Sequence, residues 1–218
     1  MTRVWPLLTG LAIGALALLP ARLLLPAPPL SAASVSGSIW RASLDGAAIG
    51  SARLGPIDLS LQPGALVQGR LQWQLAGAVT GRLFQGASGG GGEGLTGTLA
   101  GTALPGLPLA GLTLADTGIT LDVDGRCRSA SGQVSATLAI ALAGQTSLNG
   151  APRCDGAVLL LPLASPDGRV RLDLALTAQG WQARLAIAGA APAETLALAA
   201  AGFGRVNGET VLNREASW

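Results

Sequence analysis

The stretch RVRLDLAL, Arg169 to Leu176, sets Val170, Leu172, Leu174 and Leu176 against Arg169, Arg171, Asp173 and Ala175 in strict alternation. Successive side chains of a strand point to opposite faces, so this period of two puts all four aliphatics on one side of a sheet. The same period runs through Leu71, Trp73 and Leu75; Ile119, Leu121 and Val123; Val134, Leu138, Ile140 and Leu142; and Trp181, Leu185 and Ile187. Turn residues separate these runs at short intervals: Gln62-Pro63-Gly64, Asp124-Gly125, Asn149-Gly150, Pro166-Asp167-Gly168 and Asn207-Gly208. Strands joined by tight turns, with no long helices between them, predict an all-β fold: a mainly antiparallel meandering sheet, greasy on one face and wet on the other. Around Leu109 to Leu112 the apolar phase slips at Ala110-Gly111, which predicts a bulge or a corner. A closing strand is expected over Glu209 to Arg214.

Two segments depart from the alternation. GASGGGGEG, Gly86 to Gly94, lacks the Lys-Ser/Thr of a phosphate loop and opens no helix pattern. It reads as a flexible loop inside a hairpin, near which the sheet divides into two halves. Pro192-Ala193-Glu194-Thr195, followed by Leu and Ala and then Gly202, carries the start and stop signals of a short C-terminal helix. Leu196 and Leu198 would equally suit a strand.

Ahead of the sheet, Val4 to Pro20 carries no charge, and with Arg22 snorkelling the apolar run reaches Leu25. That length suffices to cross a bilayer core of about 30 Å as a helix. Arg3 precedes the run and no acid occurs before Asp45, so the positive-inside bias predicts a cytoplasmic N-terminus and an exported remainder. The expected organisation is a transmembrane anchor over residues 1–25, a linker over 26–33 containing APPL, and an exported β domain over 34–218. A cleaved signal peptide, with Ser31-Ala32-Ala33 as its small-residue site, is the competing reading; the apolar run is longer than signal peptides need.

Export gives the cysteine pair a meaning. An oxidising compartment favours a Cys127–Cys154 disulfide, with two buried free thiols as the alternative. No metal site is expected, because there is no His and no second Cys pair.

The 218 residues include 14 Arg but no Lys, Tyr or His. With Arg3 and Arg22 in the N-terminal segment, twelve arginines face twelve acids in the rest, and no phosphate-neutralising stripe points to nucleic acid. The usual general bases and activated nucleophiles are missing with His, Lys and Tyr, so no enzyme, no catalytic residue and no cofactor is expected. Asp122 and Asp124 share a strand face and could form an acid pair or a hard-cation site, but they lead into the Asp124-Gly125 turn and read as a solvated strand end. Glu93 and Asp155 show no partner in the sequence. Trp73 and Trp181 fall in phase with aliphatic neighbours and read as core, and Trp5 as an interface anchor. Trp40, out of phase with Val35 and Ile39, either packs under a sheet edge or contacts a partner.

Gly37-Ser38-Ile39-Trp40-Arg41-Ala42 resembles the G-[ST]-[VIL]-W-x-[GA] element that follows the membrane anchor in the type II secretion system protein N family of Gram-negative bacteria. Cys154-Asp155-Gly156 before Leu-rich strands, the run ending Ala200-Ala201-Gly202-Phe203, and the closing Gly208 to Glu215 are similar too. The glycine-rich insertion departs from the family pattern. The resemblance implies a single-pass inner-membrane protein whose main domain is a periplasmic β domain. It also implies other secretion-system subunits as partners, and a non-catalytic part in assembly or scaffolding.

The alternative reading is a periplasmic lipid or hydrophobic-ligand groove. Ala and Gly on the inner face, as at Ala136 and Ala183, would leave room for acyl chains. An outer-membrane barrel is disfavoured, since Tyr is absent and no aromatic girdles occur, terminal Trp218 notwithstanding.

Overall fold

The computed structural model of the protein describes residues 30–49, 52–100, 106–140 and 144–217. The expected anchor, residues 1–25, lies outside the described residues, as do Trp5 and Trp218. Among the described residues no helix is long and apolar enough to cross a membrane.

The alternating runs form strands that pair antiparallel in chain order. The first are β1 (Leu30–Ser31), β2 (Ser34–Ser38), β3 (Arg41–Ile49) and β4 (Ala52–Leu61). The sheet thus starts at Leu30, inside the stretch read as linker, with the Ala33 N–H donating to the Asp45 carbonyl at 2.9 Å. β1 and β2 both pair with β3 and share its outer edge. Ile39 and Trp40 form the two-residue turn between β2 and β3, so Trp40 is a turn residue rather than part of an alternating strand. After β4 a single helical turn, α1 (Pro63–Leu66), replaces the turn read at Gln62-Pro63-Gly64, with Pro in its first turn.

β5 (Leu71–Gly77), β6 (Val79–Gly86) and β7 (Gly89–Ala100) follow. The structure corrects the flexible loop expected over 86–94: only Ala87-Ser88 turns, and the glycines beyond belong to β7. Glycine shows no alternation, so its period is invisible in the sequence. Ladders on both sides satisfy its backbone groups and make it a strand. The approach is close: a Cβ on Gly91 would lie 2.0 Å from the Ile119 carbonyl oxygen.

β8 (Leu109–Leu121) carries the bulge expected at Ala110, where pairing with β9 (Cys127–Ile140) skips from Leu109 to Gly111. β10 (Gly144–Gly150) pairs with β9 along its length but meets β12 (Val158–Ala164) only at Asn149 and Ala164. Pro162 has no N–H to extend that ladder. The short β11 (Arg153–Asp155) takes the upper part of the same β12 edge. β13 (Val170–Thr177) and β14 (Gly180–Ile187) continue the meander. The expected C-terminal helix is α2 (Pro192–Ala200), whose Glu194 carboxylate accepts the Ala191 N–H at 2.9 Å. β15 (Gly204–Val206) and β16 (Glu209–Ser217) finish the sheet around Asn207-Gly208, both with positive φ as a type I′ turn requires. β16, not β15, pairs with β14.

The apolar face of so long a sheet must curl over itself to leave water. A Cβ on Gly125, in the β8–β9 turn, would lie 3.1 Å from that of Ala178 in the β13–β14 turn. One on Gly106 would lie 3.0 Å from Nε of Arg214 in β16. The buried side chains form two clusters. The larger centres on Leu138, Leu148, Leu163, Leu172 and Leu185, capped by Leu198 of α2 and by Phe203. The smaller joins Leu44, Ile57, Leu59 and Leu75 of β3 to β5. Fully burying one such aliphatic contributes roughly 1.5–3 kcal/mol.

Candidate functional site

The acidic candidates resolve first. The Asp122 carboxylate accepts the backbone N–H groups of Asp124 and Arg126, each at 2.9 Å. The Arg126 N–H leads in holding its carboxyl below the usual carboxylate value, helped by the Asp124 N–H and the nearby Arg128 and Arg126 guanidiniums. An acid so held stays ionised and caps its own turn, with Asp124 exposed beside it. Glu93 is not alone as the sequence suggested: its register partner across the β6–β7 ladder is Arg82, at 3.8 Å between carboxylate and guanidinium. Among the described residues no group of three or more Cys, Asp and Glu could hold a metal ion.

Cys127 and Cys154 are disulfide-bonded, with Cα atoms 5.5 Å apart. The bond ties β9 to the three-residue β11, and the Cys127 N–H adds a 3.0 Å hydrogen bond to the Ala157 carbonyl. It fastens the sheet where Pro162 interrupts the β10–β12 ladder.

The tryptophans separate by depth. Trp181 is buried in the larger cluster; Trp73 is half-buried against the smaller one. Trp40 is half-buried, and its carbonyl accepts the Leu61 N–H at 3.0 Å, which locks the β2–β3 turn onto β4.

Space on the inner face lies elsewhere than expected. Ala136 and Ala183, read as room for an acyl chain, are 0% and 4% exposed because the larger cluster closes over them. A cavity of about 540 Å³ opens instead among Leu59, Trp73, Leu83 and Leu121. Its floor is glycine: Gly86, Gly89, Gly90 and Gly91 line it, and Gly90 pairs with Leu121, so it shares that leucine's face and adds no side chain there. Sequence reading named Trp73 and Leu121 as apolar-face residues but missed this gap, whose signal was a glycine run flanked by alternating strands.

The two edges of the sheet differ. From Leu30 to Ser38 the β1–β2 edge has no charge and no proline, and Ser34–Gly37 are exposed. At the other end β15 carries Arg205, and β16 beyond it carries Arg214 and Glu215.

A family model described as type II secretion system (T2SS), protein N, matches residues 28–213, from just ahead of β1 into β16. No curated protein and no solved structure matches the chain.

Proposed function

The chain belongs to the type II secretion system protein N family, and on that premise we propose that it is a non-catalytic component of the secretion machinery that acts in assembly or scaffolding. Membership implies the other subunits of the system as its partners. The observation that carries the reading is that the family match runs nearly the length of the sheet, from ahead of β1 into β16, which supports the β domain as a whole as the secretion component. The domain works by contact: Asp122 caps its own turn and Glu93 faces Arg82. Residues 1–25 hold it in the inner membrane as a single-pass anchor, the linker of residues 26–33 already enters the sheet at Leu30, and residues 34–218 make up the periplasmic domain. The Cys127–Cys154 disulfide suits that oxidising space. Trp40, half-buried in the turn beside the uncharged edge, is the aromatic contact offered to a partner. Crosslinking in intact envelopes followed by purification of the protein tests this: other secretion subunits should co-purify, and their absence would refute the reading.

The apolar cavity among Leu59, Trp73, Leu83 and Leu121 favours a second reading, a groove for a lipid or another hydrophobic ligand. Native mass spectrometry after detergent-free purification separates the two, since this reading requires bound phospholipid and the first does not.

A further inference from the structure

We propose that the β1–β2 edge receives an extended strand from another subunit of the secretion system, which pairs along Ser34–Ser38 and lengthens the sheet by one strand. The inference rests on the scaffolding reading above and names the surface that performs it.

The backbone geometry comes first. Only two residues separate Ser38 from Arg41, so that pair exchanges both its hydrogen bonds. Along an antiparallel ladder such pairs recur every second residue, at Ser36–Ser43 and Ser34–Asp45. Val35 lies between them, and its N–H and C=O point out of the sheet, away from β3. The Val35 side chain shares its face with buried Leu44 and is 36% exposed. Among the described residues β2 pairs only with β3, so an incoming strand would meet a free donor and acceptor, and on the inner face an aliphatic to cover.

Charge and proline are absent from this edge. Sheet edges are normally kept from pairing by charge, proline or bulges. Here Leu30 to Ser38 offers the irregularity at Ala32-Ala33 and the positive φ of Gly37 but no charge and no proline, whereas β15 and β16 at the opposite edge carry Arg205, Arg214 and Glu215. The occupant is a different protein rather than a second copy. A twofold pairing of two such edges runs antiparallel and would carry the segments that precede Leu30 to opposite ends of the joint sheet. Anchors in one membrane must come from one side.

The test uses the full-length protein in envelopes, crosslinked and purified, with Val35→Pro, Val35→Lys and Val35→Thr. Val35→Pro deletes the outward N–H and fixes φ without removing a hydrogen bond to β3; Val35→Lys keeps the N–H and adds a charge. Both should lower recovery of a secretion subunit by roughly tenfold or more, with unchanged thermal midpoints, while Val35→Thr recovers it as wild type does. Equal recovery by wild type and Val35→Pro would overturn the edge assignment and leave the scaffolding reading standing. No subunit recovered by wild type would overturn both. A dimer of the purified chain that Val35→Pro dissolves would show a second copy as the occupant. Slow hydrogen exchange of the Val35 amide in the isolated monomer would show the chain covering its own edge. Either result ends the proposal.

Discussion

At the scale of single residues, the same amino acid does different work according to what its missing side chain would meet. Gly150 ends β10 against β12, and a Cβ there would lie 1.9 Å from the carbonyl oxygen of Pro162, a backbone atom that cannot swing aside. Gly204 opens β15 with nothing within 4 Å of such an atom. Gly150→Ala should therefore destabilise the domain by about 1–3 kcal/mol, as other overpacking substitutions do, while Gly204→Ala leaves the urea midpoint within a few tenths of a molar of wild type. Two aspartates act through charge. Asp122 is held ionised chiefly by the Arg126 N–H, and Asp167 chiefly by the Ser165 hydroxyl, with the Arg169 N–H adding to it. Both titrate below the 3.8 of an unperturbed aspartate. A depressed folded-state value means stability that is present above the unfolded pKa and is lost as pH falls through the folded one. Asp122→Asn combined with Asp167→Asn should lower the thermal midpoint at pH 7, and the gap to wild type should shrink only as pH falls below 3.8 and through the depressed folded-state values. A gap that persists in acid would show that the loss is steric rather than ionic.

At the scale of elements, what could be read in the sequence was whatever shows a period. β5, β8, β9, β13 and β14 alternate, and each forms where its pattern lies, except that Val123 of the β8 run falls in the exposed turn after it and Leu142 lies outside the described residues; α2 announces itself through Pro192, Glu194 and Gly202. β7 was illegible because most of its first half is glycine, which marks no face. α1 was illegible because one helical turn and a tight turn begin with the same Gln-Pro-Gly. The candidate site was legible in part: Cys127 and Cys154 pair as expected, and Trp40 was singled out, though not as the turn residue it is. The uncharged edge at Val35 and the glycine-floored cavity depend on which strands become neighbours, and no local pattern reports that. The disulfide belongs to this scale because it joins elements that the backbone barely joins. It closes a loop with a sequence separation of 27, for which loop entropy alone contributes about 3–4 kcal/mol. Reduction, or Cys127→Ser with Cys154→Ser, should lower the unfolding free energy by about that amount. Denaturant titration with and without reductant measures it, and a shift below about 1 kcal/mol would mean that β11 is held by its ladder to β12 instead.

At the scale of the whole molecule, a single ladder runs from β1 to β15, yet the apolar face is divided. The larger cluster gathers 17 buried residues on the β8–β16 side and the smaller gathers 6 on the β3–β5 side, among the described residues. Backbone hydrogen bonds cross the boundary through β7 and β8, but the glycines of β7 bring few side chains to bind one cluster to the other. Cooperativity follows packing more than ladder continuity, because opening a strand costs the burial it gives up. The β2–β7 side should therefore open while β8–β16 remains folded, and native-state hydrogen exchange should show amides of β13 and β14 protected well beyond those of β3 and β4. The disulfide lies within the more stable side and would leave this order unchanged on reduction. The less stable side is also the one that presents the uncharged edge, so an added strand there would raise protection in β3 and β4 first. Uniform protection across both sides in the isolated protein would mean that the glycine strand couples the clusters after all, and that partner binding has no weaker half to consolidate.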